Sequence, residues 1–170
     1  MQFKSISGAL GAEVSGVNLA DDLSEKQIET IRAGFHEHIA LVFRDQDVPP
    51  HKQVAFTEIF GPVEPHPLRP RRHLEEAPGI MVLENRPGTP GPRNDFWHSD
   101  LSHLPEPPTA TCLHAIDVPT GRGDTMVCNS YLAYENLSEG MQQVLGEMKA
   151  VHSGEATRQR HQSDRTGLPV

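Results

Sequence analysis

Proline fills 15 and glycine 14 of the 170 positions, and the two residues cluster: Gly61-Pro62, the run from Pro87 to Pro92, and Gly121-Arg122-Gly123. Proline cannot continue a helix interior or donate to a strand ladder, and glycine supplies the backbone angles that tight turns need. A chain broken this often folds into short elements joined by many turns. Between the breaks, periodicity assigns the elements. Leu23-Ser24-Glu25-Lys26-Gln27-Ile28 fits a helix start, with Ser24 as N-cap, Gln27 at the third helical position and a Leu23/Ile28 staple. Ile28, Ile31 and Phe35 then recur at helical spacing and mark one buried face. Residues 39–43 form an apolar run that reads as a buried strand. A second helix is predicted over about 51–60, with Val54, Phe56, Ile59 and Phe60 apolar, and Gly61-Pro62 stops it.

Further along, residues 62–78 are rich in Pro, Arg and His and read as a loop. Strands are predicted over 80–84 and 109–116, and Gly121-Arg122-Gly123 turns the chain back into residues 125–128 in a hairpin-like return. Ser138 caps a helix whose Met141, Val144, Leu145 and Met148 share a face, and residues 149–152 begin one more strand. Residues 155–170 are largely polar and read as a loop or lid segment. No internal repeat is present. Strands outnumber helices in mixed order, so the expected class is a β-rich α+β fold in a single domain spanning 1–170.

The formal charge of −8 argues against a nucleic-acid binder, because neutralising phosphates takes a basic face. No apolar run is long enough to span a bilayer, and no apolar segment of secretory type follows Met1-Gln2-Phe3-Lys4. A cytoplasmic protein with a small-molecule partner is the expectation, with homo-oligomer formation left open. Cys112 and Cys128 lack the C-x-x-C spacing of a metal site. Both fall in predicted strands and read as buried free thiols.

Chemistry concentrates at Asn94-Asp95-Phe96-Trp97-His98-Ser99-Asp100. On an extended strand, residues i and i+2 point to one face, so His98 and Asp100 can converge on one metal ion. With a distant second histidine they would make the 2-His-1-carboxylate triad of non-haem Fe(II) oxygenases, which leaves positions free for a co-substrate and O2. Alone the spacing is a weak signal. The chain has ten histidines, His73-Leu74-Glu75 is a decoy of the same form, and a plain His/Asp hydrogen bond would look identical.

The surrounding motifs are more specific. Trp97-His98-Ser99-Asp100, then Pro107-Pro108, then Gly121-x-Gly123-Asp124-Thr125 resembles the taurine dioxygenase and chlorophenoxyacetate dioxygenase family, the Fe(II)- and 2-oxoglutarate-dependent oxygenases. The resemblance begins at Gly11-Ala12-Glu13-Val14-Ser15-Gly16-Val17 and runs through Val42-Phe43-Arg44-Asp45-Gln46 and Phe60-Gly61. It continues to Tyr134-Glu135-x-Leu137-Ser138. It implies a double-stranded β-helix, or jelly roll, with flanking helices. It further implies Fe(II), 2-oxoglutarate and O2 as cofactor and co-substrates, with succinate and CO2 released as a small anionic substrate is hydroxylated. A sulfonate, a sulfate ester or an aryloxy acid would suit.

Residue by residue, the resemblance makes His98 and Asp100 metal ligands and catalytic residues. It makes Thr125 a hydroxyl donor to the distal carboxylate of 2-oxoglutarate, although threonine after a glycine turn is also an ordinary strand start. His66 and Asn94 match positions that touch the primary substrate, and Leu101 matches one whose backbone N–H faces it. Where the family's taurine enzyme has a tyrosine, this chain has Arg69. That residue either pairs with an anionic substrate group or belongs, with Arg71 and Arg72, to a solvated basic loop. His103 replaces an aromatic wall residue, which makes the pocket more polar.

The family's second metal histidine and the arginine that clamps 2-oxoglutarate lie far beyond the H-x-D pair. His152 and His161, the only histidines after His114, stand in no such motif. The expectation is therefore an incomplete catalytic domain, the N-terminal part of a longer protein with its C-terminal part missing. Two other readings compete with the dioxygenase. One is an inactive fragment or scaffold of the same fold. The other is a zinc hydrolase built on His98 and Asp100, which leaves the Gly-Asp-Thr motif unexplained.

Overall fold

The computed structural model describes residues 1–63, 73–85 and 96–153. The chain divides into two compact units, one formed by Met1–Val63 with Cys112–Met148 and the other by Glu64–Thr111 with Lys149–Val170.

In the first unit, β1 (Gln2–Ser5) and β2 (Ala12–Ser15) pair antiparallel, with Gln2 opposite Ser15 and Ser5 opposite Ala12. Helix α1 (Glu25–His38) then carries the chain to β3 (Leu41–Phe43), which pairs parallel to β2 with Ala12 opposite Leu41 and Val14 opposite Phe43. The result is a three-stranded mixed sheet in the order β1-β2-β3. Parallel neighbours need a crossover between them, and α1 supplies it. Ala12 and Val14 are buried while Glu13 between them is not, the alternation that puts one face of a strand on the core.

The start of α1 is the predicted one. The Ser24 side chain accepts from the Gln27 backbone N–H, and the Gln27 side chain accepts from the Ser24 backbone N–H at 2.9 Å. Two of the four orphan donors at the helix start are satisfied this way. Ile31 is fully buried on the apolar face. One turn on, Gly34 lies against the Phe3 ring of β1 so closely that a Cβ there would collide with it. Helix α2 spans Pro50–Glu58, with proline in the first turn where its missing N–H costs nothing.

Leu19, Ile31, Val48 and Phe56 form the core, ringed by Val17, Leu23, Leu41, Phe43, Ile59, Phe60 and Cys112. Phe56 meets Phe43 and Phe60 edge to face, with ring centroids 5.3 and 5.9 Å apart, the arrangement favoured by ring quadrupoles. Gln46 fastens the loop after β3: its Oε1 accepts from Leu19 N at 2.8 Å and its Nε2 donates to Arg44 O at 2.9 Å. His114 lies 3.3 Å from the Gln46 carbonyl through Nε2 and ties the later segment of the unit to the same loop. Helix α3 (Ser130–Glu135) begins at Asn129, whose Oδ1 accepts from Tyr131 N and Leu132 N and whose Nδ2 donates to Ala9 O. Helix α4 (Glu139–Gly146) begins at Ser138 as its sequence predicts.

The fold is thus α+β, but four helices against three strands among the described residues corrects the β-rich expectation. The strands predicted over 80–84, 109–116, 125–128 and 149–152 do not form. In their place there is one isolated bridge between His73 and Met81. An extended segment becomes a strand only when a neighbour takes up its N–H and C=O groups along its length, and among the described residues none of these segments has such a continuous ladder. The same shortfall corrects the burial expected of Cys128. Cys128 is exposed, and so are Met141, Val144 and Leu145 on the apolar face of α4 and Met148 just beyond its end. No helix among the described residues is long and apolar enough to cross a membrane.

Candidate functional site

His98 and Asp100 lie in the second unit, and there they meet: His98 Nε2 is 3.3 Å from Asp100 Oδ1. The convergence does not come from strand alternation, as the spacing suggested. His98 sits in irregular backbone, and Asp100 opens a turn over residues 100–103. Leu101 holds this turn with a positive φ of 49°, and its carbonyl accepts from Leu104 N at 2.9 Å. A branched side chain in the left-handed region is uncommon and costs energy that the surroundings must offset; such outliers concentrate at functional sites.

The ring of His98 is oriented from behind. Its Nδ1 lies 2.8 Å from the Phe96 carbonyl oxygen, and a carbonyl only accepts, so Nδ1 carries a proton. In the neutral ring this leaves the lone pair on Nε2, the nitrogen that faces Asp100. Asp100 is held from its other side, because the Thr111 hydroxyl donates to Asp100 Oδ2 at 2.7 Å. Oδ1 is left pointing at Nε2. Both side chains are open to solvent, at 38% exposure for His98 and 49% for Asp100. Neighbouring Trp97 is exposed as well, at 67%.

These two atoms suit a metal ion. Two ligands at right angles on one ion, each about 2.1 Å from it, lie roughly 3.0 Å apart, close to the spacing of Nε2 and Oδ1. The donor set of one neutral imidazole and one carboxylate suits Fe(II). Among the described residues no third His, Cys, Asp or Glu joins the pair in a group that could hold a metal. His152 is engaged elsewhere, with Nδ1 2.9 Å from the Ser102 hydroxyl, so it braces the turn after Asp100. A metal-free role remains chemically sound for the same pair, since a protonated His98 would form an ion pair with Asp100.

Thr125 belongs to the first unit and is exposed directly after the turn at Gly121-Arg122-Gly123. Both of those glycines have φ near 74°, which explains glycine at both positions of the motif. Leu101 is placed as described above. His66, Arg69 and Asn94 lie outside the described residues, as do His161 and the segment 155–170. Sequence reading missed Thr111, which lies eleven positions beyond Asp100 with no local signal linking the two.

The family model described as taurine catabolism dioxygenase TauD, TfdA family matches residues 2–170. An alkylsulfatase of Acinetobacter baylyi is 31% identical over 91% of this chain and 48% of its own length. An alpha-ketoglutarate-dependent sulfate ester dioxygenase of Pseudomonas putida is 31% identical over 88% of this chain and 48% of its own length. The chain spans about half the length of these curated relatives. A crystal structure of a taurine dioxygenase from Burkholderia xenovorans shares 33% identity over 45% of this chain and 27% of that chain, with a TM-score of 0.41.

Proposed function

The chain belongs to the taurine catabolism dioxygenase TauD, TfdA family, and on that premise we propose that it carries two of the metal ligands of an Fe(II)- and 2-oxoglutarate-dependent dioxygenase built on a jelly roll. The observation that carries this reading is the approach of His98 Nε2 to Asp100 Oδ1 at 3.3 Å, with each side chain fixed by a further hydrogen bond. When bound there, Fe(II) supplies the redox chemistry that couples O2 and 2-oxoglutarate to hydroxylation, with succinate and CO2 released.

The protein's own groups orient and bind. Phe96 O sets the His98 tautomer so that Nε2 can ligate. Asp100 contributes a negative charge that lowers the net charge of a ferrous centre. Thr125 donates its hydroxyl to the distal carboxylate of 2-oxoglutarate, a charge-assisted bond stronger than a neutral one. The primary substrate in this reading is a small anion such as a sulfate ester, a sulfonate or an aryloxy acid, bound by His66, Asn94, Arg69 and the Leu101 backbone N–H. Hydroxylation next to the heteroatom would let the product collapse and release the anion. Arg69 in place of tyrosine makes taurine itself a poor substrate.

The test is Asp100→Ala in a protein that turns over. Fe(II)-dependent succinate formation should be lost while the circular dichroism spectrum is kept; turnover at the wild-type rate would rule the reading out.

A further inference from the structure

We propose that Thr111 is a positioning residue for the metal site: its hydroxyl fixes which oxygen of Asp100 is offered to the metal. The inference rests on the metal reading above. A carboxylate has two equivalent oxygens, and a side chain about half exposed can rotate between several orientations. Here that freedom is removed. Thr111 Oγ1 donates to Oδ2 at 2.7 Å, and Oδ1 faces His98 Nε2 at 3.3 Å.

The arrangement mirrors that of His98, where Nδ1 is engaged at 2.8 Å so that Nε2 is free. Each ligand therefore has one atom tied back to the protein and one atom presented. Hydrogen bonds of this kind to the non-ligating atom orient metal ligands, and losing one typically costs about 10- to 100-fold in metal affinity. Thr111 is exposed and outside any helix or strand, so its replacement leaves no buried polar group unsatisfied and no core contact broken.

The experiment is Co(II) titration of the 170-residue chain, followed by visible absorption to millimolar metal. Wild type is compared with Thr111→Val, Thr111→Ser, Asp100→Ala and the Thr111→Val/Asp100→Ala double variant. Valine keeps the shape and loses the hydroxyl; serine keeps the hydroxyl and loses the methyl. Thr111→Val is expected to weaken binding by about tenfold or more, Thr111→Ser to stay near wild type, and melting temperatures to be unchanged. On the Asp100→Ala background, Thr111→Val should have no further effect, since nothing remains to position.

Equal affinity of Thr111→Val and wild type, with Asp100→Ala still losing metal, would overturn the positioning role alone. An equal loss in the valine and serine variants would also overturn it, because packing of the methyl would then be what matters. Binding by wild type that is indifferent to Asp100→Ala, or no binding at all, would overturn the metal reading and this inference together.

Discussion

Helices α1 and α4 begin with the same device and end in different surroundings. In each, a serine N-cap accepts from the backbone N–H of the third helical residue, and a glutamate sits in the first turn. Each carries apolar residues at helical spacing. Yet α1 buries Ile31 completely, whereas Met141, Val144 and Leu145 of α4 are 48%, 56% and 39% exposed. The capping code is local and acts within four residues, so it marks where a helix begins without regard to what the helix face meets. Burial requires a second surface. For α1 that surface is the sheet and α2; for the apolar face of α4, none is present among the described residues.

The largest expected effect comes from truncating one apolar residue in each helix. Ile31→Ala should destabilise the fold by about 2–5 kcal/mol, the cost of a core cavity. Leu145→Ala should stay within about 0.5 kcal/mol, as surface changes do. Urea unfolding of the two variants checks the contrast, and equal midpoints would break it.

Glycine sharpens the comparison at a smaller scale. Gly34→Ala drives a methyl into the Phe3 ring and should cost about 1–3 kcal/mol as overpacking. Gly140→Ala meets nothing within 4 Å and should instead gain about 0.5–1 kcal/mol from helix propensity. Opposite shifts in melting temperature are the expected outcome. A gain at both positions would mean that the Phe3 ring moves aside without cost.

The two thiols report the contrast with the least disturbance of stability. Cys112 packs against the core, and burial pushes its thiol up despite a hydrogen bond from Thr57. The folded state therefore holds this proton more tightly than the unfolded chain does. Its contribution is fully present below the unfolded thiol's range and is lost as pH rises through it towards the folded value. Near neutral pH, iodoacetamide should modify exposed Cys128 well before Cys112. Mass spectrometry of the partly labelled chain decides between them, and equal labelling would place Cys112 in solvent.

What could be read in advance follows the same division. The Ser24 box, the Ile28-Ile31-Phe35 face, the stop near Gly61 and the Ser138 cap are written within a few residues, and all were legible. Helix α3 carries a fair capping signal at Asn129-Ser130, but Ser130–Glu135 is too short to show periodicity. The later strands could not be read correctly, since apolar alternation says that a segment would suit a sheet and not whether a neighbour is there to pair with it. At the candidate site, the side chains of His98 and Asp100 do converge as their spacing suggests, but for a different local reason, a turn in place of a strand. Thr111 was invisible because its link to Asp100 exists only after the chain has folded back.

The bonds of the Asn129 side chain predict an order of events during folding. The same side chain caps α3 and donates to Ala9 O, 120 positions away. The β1–β2 hairpin closes over about a dozen residues, and α1 needs only its own cap, so both can form early. Fixing the Asn129 side chain waits for a loop of more than a hundred residues to close, and such long-range contacts are entropically slow. In pulse-labelled hydrogen exchange, the amides of Tyr131 and Leu132 should gain protection after those of Glu13 and Val14. Simultaneous protection would mean that α3 is started by its own sequence, and that its tether to the N-terminal loop only follows.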